Sequence, residues 1–183
     1  MGKPCRFVAN SHPWGAMLVV TKASTFADFY EAHALIAEMG RWDVAQCDAQ
    51  GLPSAEVISA YYSDDAENLL EKCTSPNAGM YLARDGSVVL GCVGYMSHGD
   101  VAEIIKLFVR PEGRGKGAGT RLLATALQAI EQAHFRKVNL ATISFMTDAI
   151  SLYRKFGFRD CEPFEPAPKG LETATLYMEM VIR

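Results

Sequence analysis

The chain has 183 residues, 49% hydrophobic and 21% charged, with a formal net charge of −3 and a pI of about 5.8. That length suits one domain, the composition excludes a largely disordered chain, and the lack of a basic surplus argues against nucleic acid as the main partner. No apolar run approaches the roughly 18–20 residues that span a bilayer, and the first twenty residues lack a signal core, so a cytoplasmic protein that engages no membrane is expected.

Residues 1–16 contain Pro4, Pro13 and Gly15 without a sustained period, which predicts an N-terminal arm, with 17–183 as a single domain and Met17 as an alternative start. Met17–Lys22 reads as a short strand. Ser24-Thr25, with Asp28 three residues after Thr25, predicts a helix start. Phe26, Phe29, Tyr30, His33 and Ile36 then share one helical face, and Gly40 stands where a C-terminal stop belongs. His33 on such a face is expected to pack or face solvent rather than bind a ligand. Pro53-Ser54 opens a second helix through Tyr62, and Ser63-Asp64-Asp65 caps a third to about Lys72.

The character changes at Met80–Arg84 and Val88–Tyr95, two β-rich runs joined at Asp85-Gly86 as a hairpin. A third strand, Val101–Arg110, follows His98-Gly99-Asp100 and completes an antiparallel meander. Beyond it the periodicity predicts a helix from about Gly117 to Ala133, a strand Lys137–Ala141, a helix Thr147–Phe156 and a last strand Thr173–Ile182. The sum is an α+β fold on one mixed sheet. Five cysteines, Cys5, Cys47, Cys73, Cys92 and Cys161, are scattered without a CxxC pair; they are expected to be reduced and to pack as small apolar side chains, and no metal is expected.

The stretch richest in chemistry is Val109-Arg-Pro-Glu-Gly-Arg-Gly-Lys-Gly-Ala-Gly-Thr-Arg-Leu-Leu123, where a strand stops at Pro111 and glycines crowd a helix entrance. Glycine opens torsions closed to other residues and lets a ligand approach the main chain, while free N–H groups and the helix dipole point at an anion. A pyrophosphate would fit. Leu122, Leu123, Ala126, Leu127 and Ile130 give the helix an apolar stripe. A Walker A loop fails because position 110 is arginine. A dinucleotide fingerprint matches only loosely as Gly113-x-Gly115-x-x-Ala118, and the next strand ends in Asn139-Leu-Ala-Thr142 without the acid a ribose would need. From the loop alone, a glycine turn with only packing duties stays open.

Arg114-Gly-Lys-Gly117-Ala-Gly119 resembles the (Arg/Gln)-x-x-Gly-x-Gly signature of the GNAT acyltransferases, and Ala102–Val109 resembles the strand before it. A second block, Ala149-Ile-Ser-Leu-Tyr153-Arg-Lys-Phe-Gly157-Phe158, is similar to the family's A-x-x-x-Y-x-x-x-G-F segment and follows the first at the distance of one helix and one strand. The resemblance covers Met80 to Arg183 well and the N-terminal half in outline. It implies a central, splayed, mostly antiparallel sheet flanked by helices, and acetyl-CoA or coenzyme A as co-substrate. The strand ending at Val109 would part from Lys137–Ala141, with the pantetheine arm lying in the gap like an added strand.

On this resemblance the main-chain groups of Leu107, Phe108 and Val109 would meet pantetheine and the thioester, and an N–H near Val109 would stabilise the oxyanion. The amides of Arg114, Gly115, Lys116, Gly117, Ala118, Gly119 and Thr120 would hold the pyrophosphate. The attacking amine must lose a proton and the departing thiolate must gain one. Tyr153 matches the family's usual acid, and Glu103, on the strand leading to the splay, is the candidate base acting through water. Many relatives carry asparagine three residues before the alanine of the second block, where this chain has Met146, which removes one polar contact to the cofactor.

The resemblance thus implies an N-acetyltransferase acting on a small-molecule primary amine by direct attack in a ternary complex, with a homodimer as a state common in the family. The rivals are a protein N-terminal or lysine acetyltransferase, a non-catalytic acyl-CoA-binding module and, behind these, an NAD-type oxidoreductase. The acceptor site would be built from Met17–Lys72 and Cys161–Thr175. Asp43, Asp48, Asp64 and Asp65 are acids that would attract a cationic amine there, although such residues usually serve as solvated caps.

Overall fold

The computed structural model describes residues 18–182. The expected arm, 1–16, Met17 and Cys5 lie outside them. A short strand β1 (Val19–Lys22) leads into α1 (Phe26–Gln50), followed by α2 (Ser54–Tyr61), α3 (Ala66–Thr74) and the meander β2 (Gly79–Asp85), β3 (Val88–His98) and β4 (Val101–Val109). A 3-10 turn at Pro111–Gly113 and a loop precede α4 (Ala118–Gln132), then β5 (Lys137–Ile143), α5 (Thr147–Phe156), a two-residue β6 (Arg159–Asp160) and β7 (Thr175–Val181). Among the described residues the strands form one sheet in the order β1-β2-β3-β4-β5-β7-β6, antiparallel except where β4 meets β5. No helix among them is long and apolar enough to cross a membrane.

The expected cap of α1 forms: Asp28 N–H donates to Thr25 Oγ1 at 3.2 Å while the Asp28 carboxylate accepts from Ser24 and Thr25 N–H at 3.1 and 3.0 Å. The expected stop at Gly40 does not. The helix runs on to Gly51, whose φ of 68° and N–H to Asp48 O close the last turn in the left-handed conformation. Gly40 is a packing glycine instead, because a Cβ there would stand 3.1 Å from the ring of Tyr62 and push α1 off α2. The hairpin turn also shifts by one residue: its two central residues are Gly86 and Ser87, with Gly86 at φ 60°. Asp65 caps α3 by accepting from Asn68 N–H at 2.8 Å.

Two layers flank the sheet. On one face α4 buries Leu122, Leu123, Ala126 and Ile130 together with Ala102, Ile104, Val138, Leu140, Met178 and the α5 residue Tyr153; each large aliphatic side chain so buried contributes about 1.5–3 kcal/mol. On the other, α1 and α3 bring Phe29, Ala32, Leu35 and Leu69 against Met80, Leu82, Cys92 and Phe108. Arg110 clamps the end of β4 to α1, its Nε donating to Glu38 at 2.8 Å and a second nitrogen to Val89 O at 2.7 Å.

Face alternation along β4 is reset by a bulge. Cys92 pairs with Phe108 and Gly94 with Ile105, so Lys106 and Leu107 together oppose Val93, and Lys106 takes φ 55°. Ala102 and Ile104 therefore face α4 before the bulge, Leu107 and Val109 face it afterwards, and Phe108 joins the layer under α1.

Candidate functional site

The site is built where β4 leaves β5. The two strands run parallel through three register pairs, Val101 with Lys137, Ala102 with Val138 and Glu103 with Asn139, and pair no further. Beyond Glu103 the two backbones diverge, and β4 carries its bulge into the gap. Arg110 N–H donates to Leu90 O on β3 at 2.8 Å. By strand alternation the main-chain groups of Val109, and two residues earlier of Leu107, point away from β3 into the gap. Phe108 differs: its main chain faces β3, where a Cβ on Gly91 would come within 2.5 Å of its carbonyl oxygen. Of the three residues expected to line the gap through their main chain, the geometry offers Leu107 and Val109.

At one mouth of the gap lies the glycine loop. Gly115 and Gly117 hold φ of 72° and 81°, and a Cβ at either would meet nothing within 4 Å. Both the left-handed torsion and the open space favour glycine there. Gly113 is of the other kind, buried with a would-be Cβ 2.9 Å from Val109 Cγ1, and is a packing residue. Among the described residues the first α4 amide with a main-chain acceptor is that of Arg121, bonded to Gly117 O at 3.0 Å, so the amides from Gly115 to Thr120 are free to meet an anion. Gly117 is the N-cap and supplies no side chain to compete. Ala118 is buried beneath the loop, Gly119 is half-buried with its would-be Cβ 3.4 Å from Leu152, and Arg114, Lys116 and Thr120 are exposed around it. Arg114 is also tied back: its Nε donates to Val109 O at 3.1 Å.

Tyr153 lies on the same face as the loop. It is buried in the α4 layer with its ring edge-on to Phe158 at 5.8 Å, and burial raises its phenol well above the ordinary tyrosine range. A phenol so placed keeps its proton at any ordinary pH. Glu103 lies on the opposite face, at the last β4–β5 pair. Burial and then the charge of Glu165 raise its carboxyl above the usual range, opposed by His98 and Lys106. His98 Nε2 stands 2.7 Å from Glu103 Oε2, and the imidazole is 55% exposed against 15% for the carboxylate, so the pair links a half-buried carboxylate to solvent. Met146 sits at the N-cap of α5 with no side-chain cap, its sulfur accepting from Thr142 Oγ1 at 3.4 Å.

Several residues around Glu103 went unmarked in the sequence. Lys106, aimed toward α2 by the bulge, donates to Tyr61 O and lies 4.8 Å above the ring of Tyr62; burial lowers its pKa. Tyr62 donates to Asp43, whose carboxyl is 1% exposed and is raised by burial to about 6. Asp43 is thus a buried partner of Tyr62, whereas Asp64 pairs with Lys72 at 2.6 Å, Asp65 caps α3 and Asp48 is exposed. Asn139 and Tyr177 are buried on strands β5 and β7 with Oδ1 and Oη unpartnered among the described residues. In the sequence His98 carries no mark beyond its place in a turn. His33 is half-buried on α1.

Comparison with known proteins agrees with this arrangement. Residues 44–158 match the family model described as the acetyltransferase (GNAT) family. An IAA acetyltransferase of Azospirillum brasilense is 32% identical over 64% of this chain and 78% of its own length. An uncharacterized N-acetyltransferase of Schizosaccharomyces pombe is 33% identical over 57% of this chain and 66% of its own length. Among solved structures, PaiA N-acetyltransferase from Thermoplasma acidophilum in complex with coenzyme A superposes with a TM-score of 0.69 at 21% identity, covering 91% of this chain and 99% of that one. An acetyltransferase of the same family from Staphylococcus aureus gives 0.68 at 15% identity, covering 91% and 100%. With a glycine loop at the mouth of a parted β4–β5 pair, a family match across most of the chain and the same fold in these structures, the chain belongs to the acetyltransferase (GNAT) family.

Proposed function

We propose that this chain transfers an acetyl group from acetyl-CoA to a primary amine of a small molecule, by direct attack within a ternary complex. The observation that carries the reading is the β4–β5 gap itself: an anion cradle and Tyr153 belong to one face of it, Glu103 to the other, and the main-chain groups of Leu107 and Val109 run between. The cradle fits a pyrophosphate because Gly115 and Gly117 leave open the space a Cβ would fill and the amides from Gly115 to Thr120 lack main-chain acceptors. The coenzyme A bound to the Thermoplasma relative supports a CoA thioester as donor. Cys47, Cys73 and Cys92 are buried and free, which suits the reducing cytoplasm.

Bound acetyl-CoA supplies an activated acyl group and a thiolate leaving group. The residues of the chain do the rest. Glu103 takes the proton of the acceptor ammonium through water, and His98 passes it to solvent. The freed lone pair forms the C–N bond as the C–S bond breaks. The N–H of Leu107 or Val109 donates to the carbonyl oxygen as charge gathers there. Tyr153 Oη gives its proton to the departing sulfur, and the second proton, shed by the acylated nitrogen as it becomes the amide, restores the phenol.

Turnover measured as thiol release between pH 6 and 9 tests the assignment. Tyr153→Phe should lower kcat roughly a hundredfold while leaving CoA affinity unchanged. A base works when deprotonated, so the rate of the parent protein should rise with pH through an apparent pKa above the ordinary carboxylate range, and Glu103→Gln should remove that rise. Full activity in Tyr153→Phe would take Tyr153 out of the reaction, and an unchanged pH profile in Glu103→Gln would do the same for Glu103.

A further inference from the structure

The sheet face carrying Glu103 has a polarity of its own. Register places Glu103 beside Asn139, and Asn139 beside Glu179 with Tyr177 two residues along, so these side chains share the face opposite α4. Asn139 and Tyr177 are 7% and 6% exposed, and Asn139 Oδ1 and Tyr177 Oη find no partner among the described residues. Asn139 Oδ1 accepts hydrogen bonds, and Tyr177 Oη both accepts and donates. A buried acceptor left unpaired costs about 1–3 kcal/mol, so whatever settles on this face gains by bringing N–H groups to it.

The surroundings ask for positive charge as well. Glu165, exposed on the loop between β6 and β7, directly follows Phe164, whose ring packs against Tyr177, and its charge raises the proton affinity of Glu103, Tyr61 and Tyr177. Phe164 packs edge-on to Tyr177 at 5.1 Å and remains 39% exposed, so aromatic surface borders the same space. Carboxylates beside aromatic rings and unpaired acceptors form a cation site. The local cations are otherwise engaged: Lys106 donates to Tyr61 O and covers Tyr62, His98 is paired with Glu103, and Lys137 is paired with Glu179 at 2.5 Å.

We infer that the acceptor is a compact diamine without a carboxylate, one nitrogen presented to Glu103 at the gap and the second, still protonated, held by Glu165 against Phe164 and Tyr177. This rests on the acetyltransferase reading and names its substrate class. Glu103 takes up the proton of the reacting nitrogen, so a single ammonium would leave Glu165 without a cation after that transfer. A carboxylate at the far end of the acceptor would be repelled by Glu165 and would offer no donor to Asn139 Oδ1.

Three acceptors of equal length separate these cases: 1,4-diaminobutane, butylamine and 4-aminobutanoate, each assayed with acetyl-CoA on the full chain, with CoA binding measured on the same sample by thermal shift. The expected order of kcat/KM is diamine, then monoamine, then amino acid, the diamine leading the monoamine by roughly tenfold. Glu165→Gln, an exposed loop substitution, should raise KM for the diamine by about the same factor and erase its lead over butylamine, with both amines compared at a pH on the plateau of the rate, where the accompanying fall in the proton affinity of Glu103 no longer acts. Preference for 4-aminobutanoate, no advantage of the diamine, equal losses for both amines in Glu165→Gln, or CoA binding without turnover of any of the three would overturn the inference. Absence of CoA binding would instead remove the acetyltransferase reading beneath it.

Discussion

Asp43 shows how a single side chain can set a pH dependence that its sequence context hides. Its neighbours Arg41 and Trp42 are exposed, and nothing in the local pattern marks it as buried, yet α1 turns it into the seam with α2, where Tyr62 donates to one oxygen and the other is unpartnered. Burial raises its carboxyl from 3.8 to about 6. The folded state therefore holds this proton more tightly than the unfolded one, and the group's contribution to stability is full below about pH 4 and lost as pH rises through about 6. At about 1.4 kcal/mol per pKa unit the loss is about 3 kcal/mol. Asp43→Asn keeps an oxygen for Tyr62 and cannot ionise. Its melting temperature should match that of the parent near pH 4 and exceed it near pH 7.5, by about 2–4 °C for each kcal/mol recovered. Asp28 and Glu38, whose pKa values are lowered by their hydrogen bonds, act in the opposite sense in both proteins and cancel in the comparison. A difference that does not vary with pH would mean that Asp43 stays charged in the fold.

At the scale of elements, legibility followed how local the determining contact is. α5 was read to its observed ends, because Gly157 at φ 100° closes it and the apolar stripe lies within the segment. The end of α1 is not legible locally, because Gly40 carries the same letter as a helix stop while its reason for being glycine is a ring 22 positions later. The parting of β4 from β5 was anticipated from the family's pattern, whereas the bulge at Lys106 was not: neither composition nor spacing marks a lysine for a left-handed torsion. Met146 departs from the family's pattern, and its position has an energetic meaning. It occupies the N-cap of α5 at φ −78° and ψ 54° and satisfies none of the free amides of that turn. Met146→Asn restores a capping oxygen, and replacing a non-capping residue in this way stabilises by about 1 kcal/mol. The melting temperature should rise by about 2–4 °C. An unchanged or lower value would show that the Thr142–Met146 contact outweighs the missing cap.

For the molecule as a whole, the sequence marks the residues of the proposed cofactor side far more plainly than those of the proposed acceptor side. The glycine loop and Tyr153 are contiguous motifs, but Glu103, His98, Asn139, Tyr177 and Glu165 come from four strands and a loop and meet only once register and the face of each strand are known. The two halves of the site can be separated experimentally through the stability of the entire fold. A ligand at about 100 times its dissociation constant stabilises the native state by about 2.7 kcal/mol, and at this chain length that raises the melting midpoint by several degrees. Coenzyme A and acetyl-CoA should produce that shift, and ATP and NAD should not. Gly117→Val isolates the cause. Its side chain would enter the open space of the cradle, and a β-branched residue at φ 81° costs roughly 1–3 kcal/mol of strain, so the unliganded variant should melt a few degrees lower and lose the CoA shift. Loss of baseline stability with the CoA shift intact would confine Gly117 to the turn and place the pyrophosphate elsewhere. An unchanged baseline with the shift gone would assign the glycine wholly to the ligand, with the loop relaxing out of its left-handed torsion when the side chain is added.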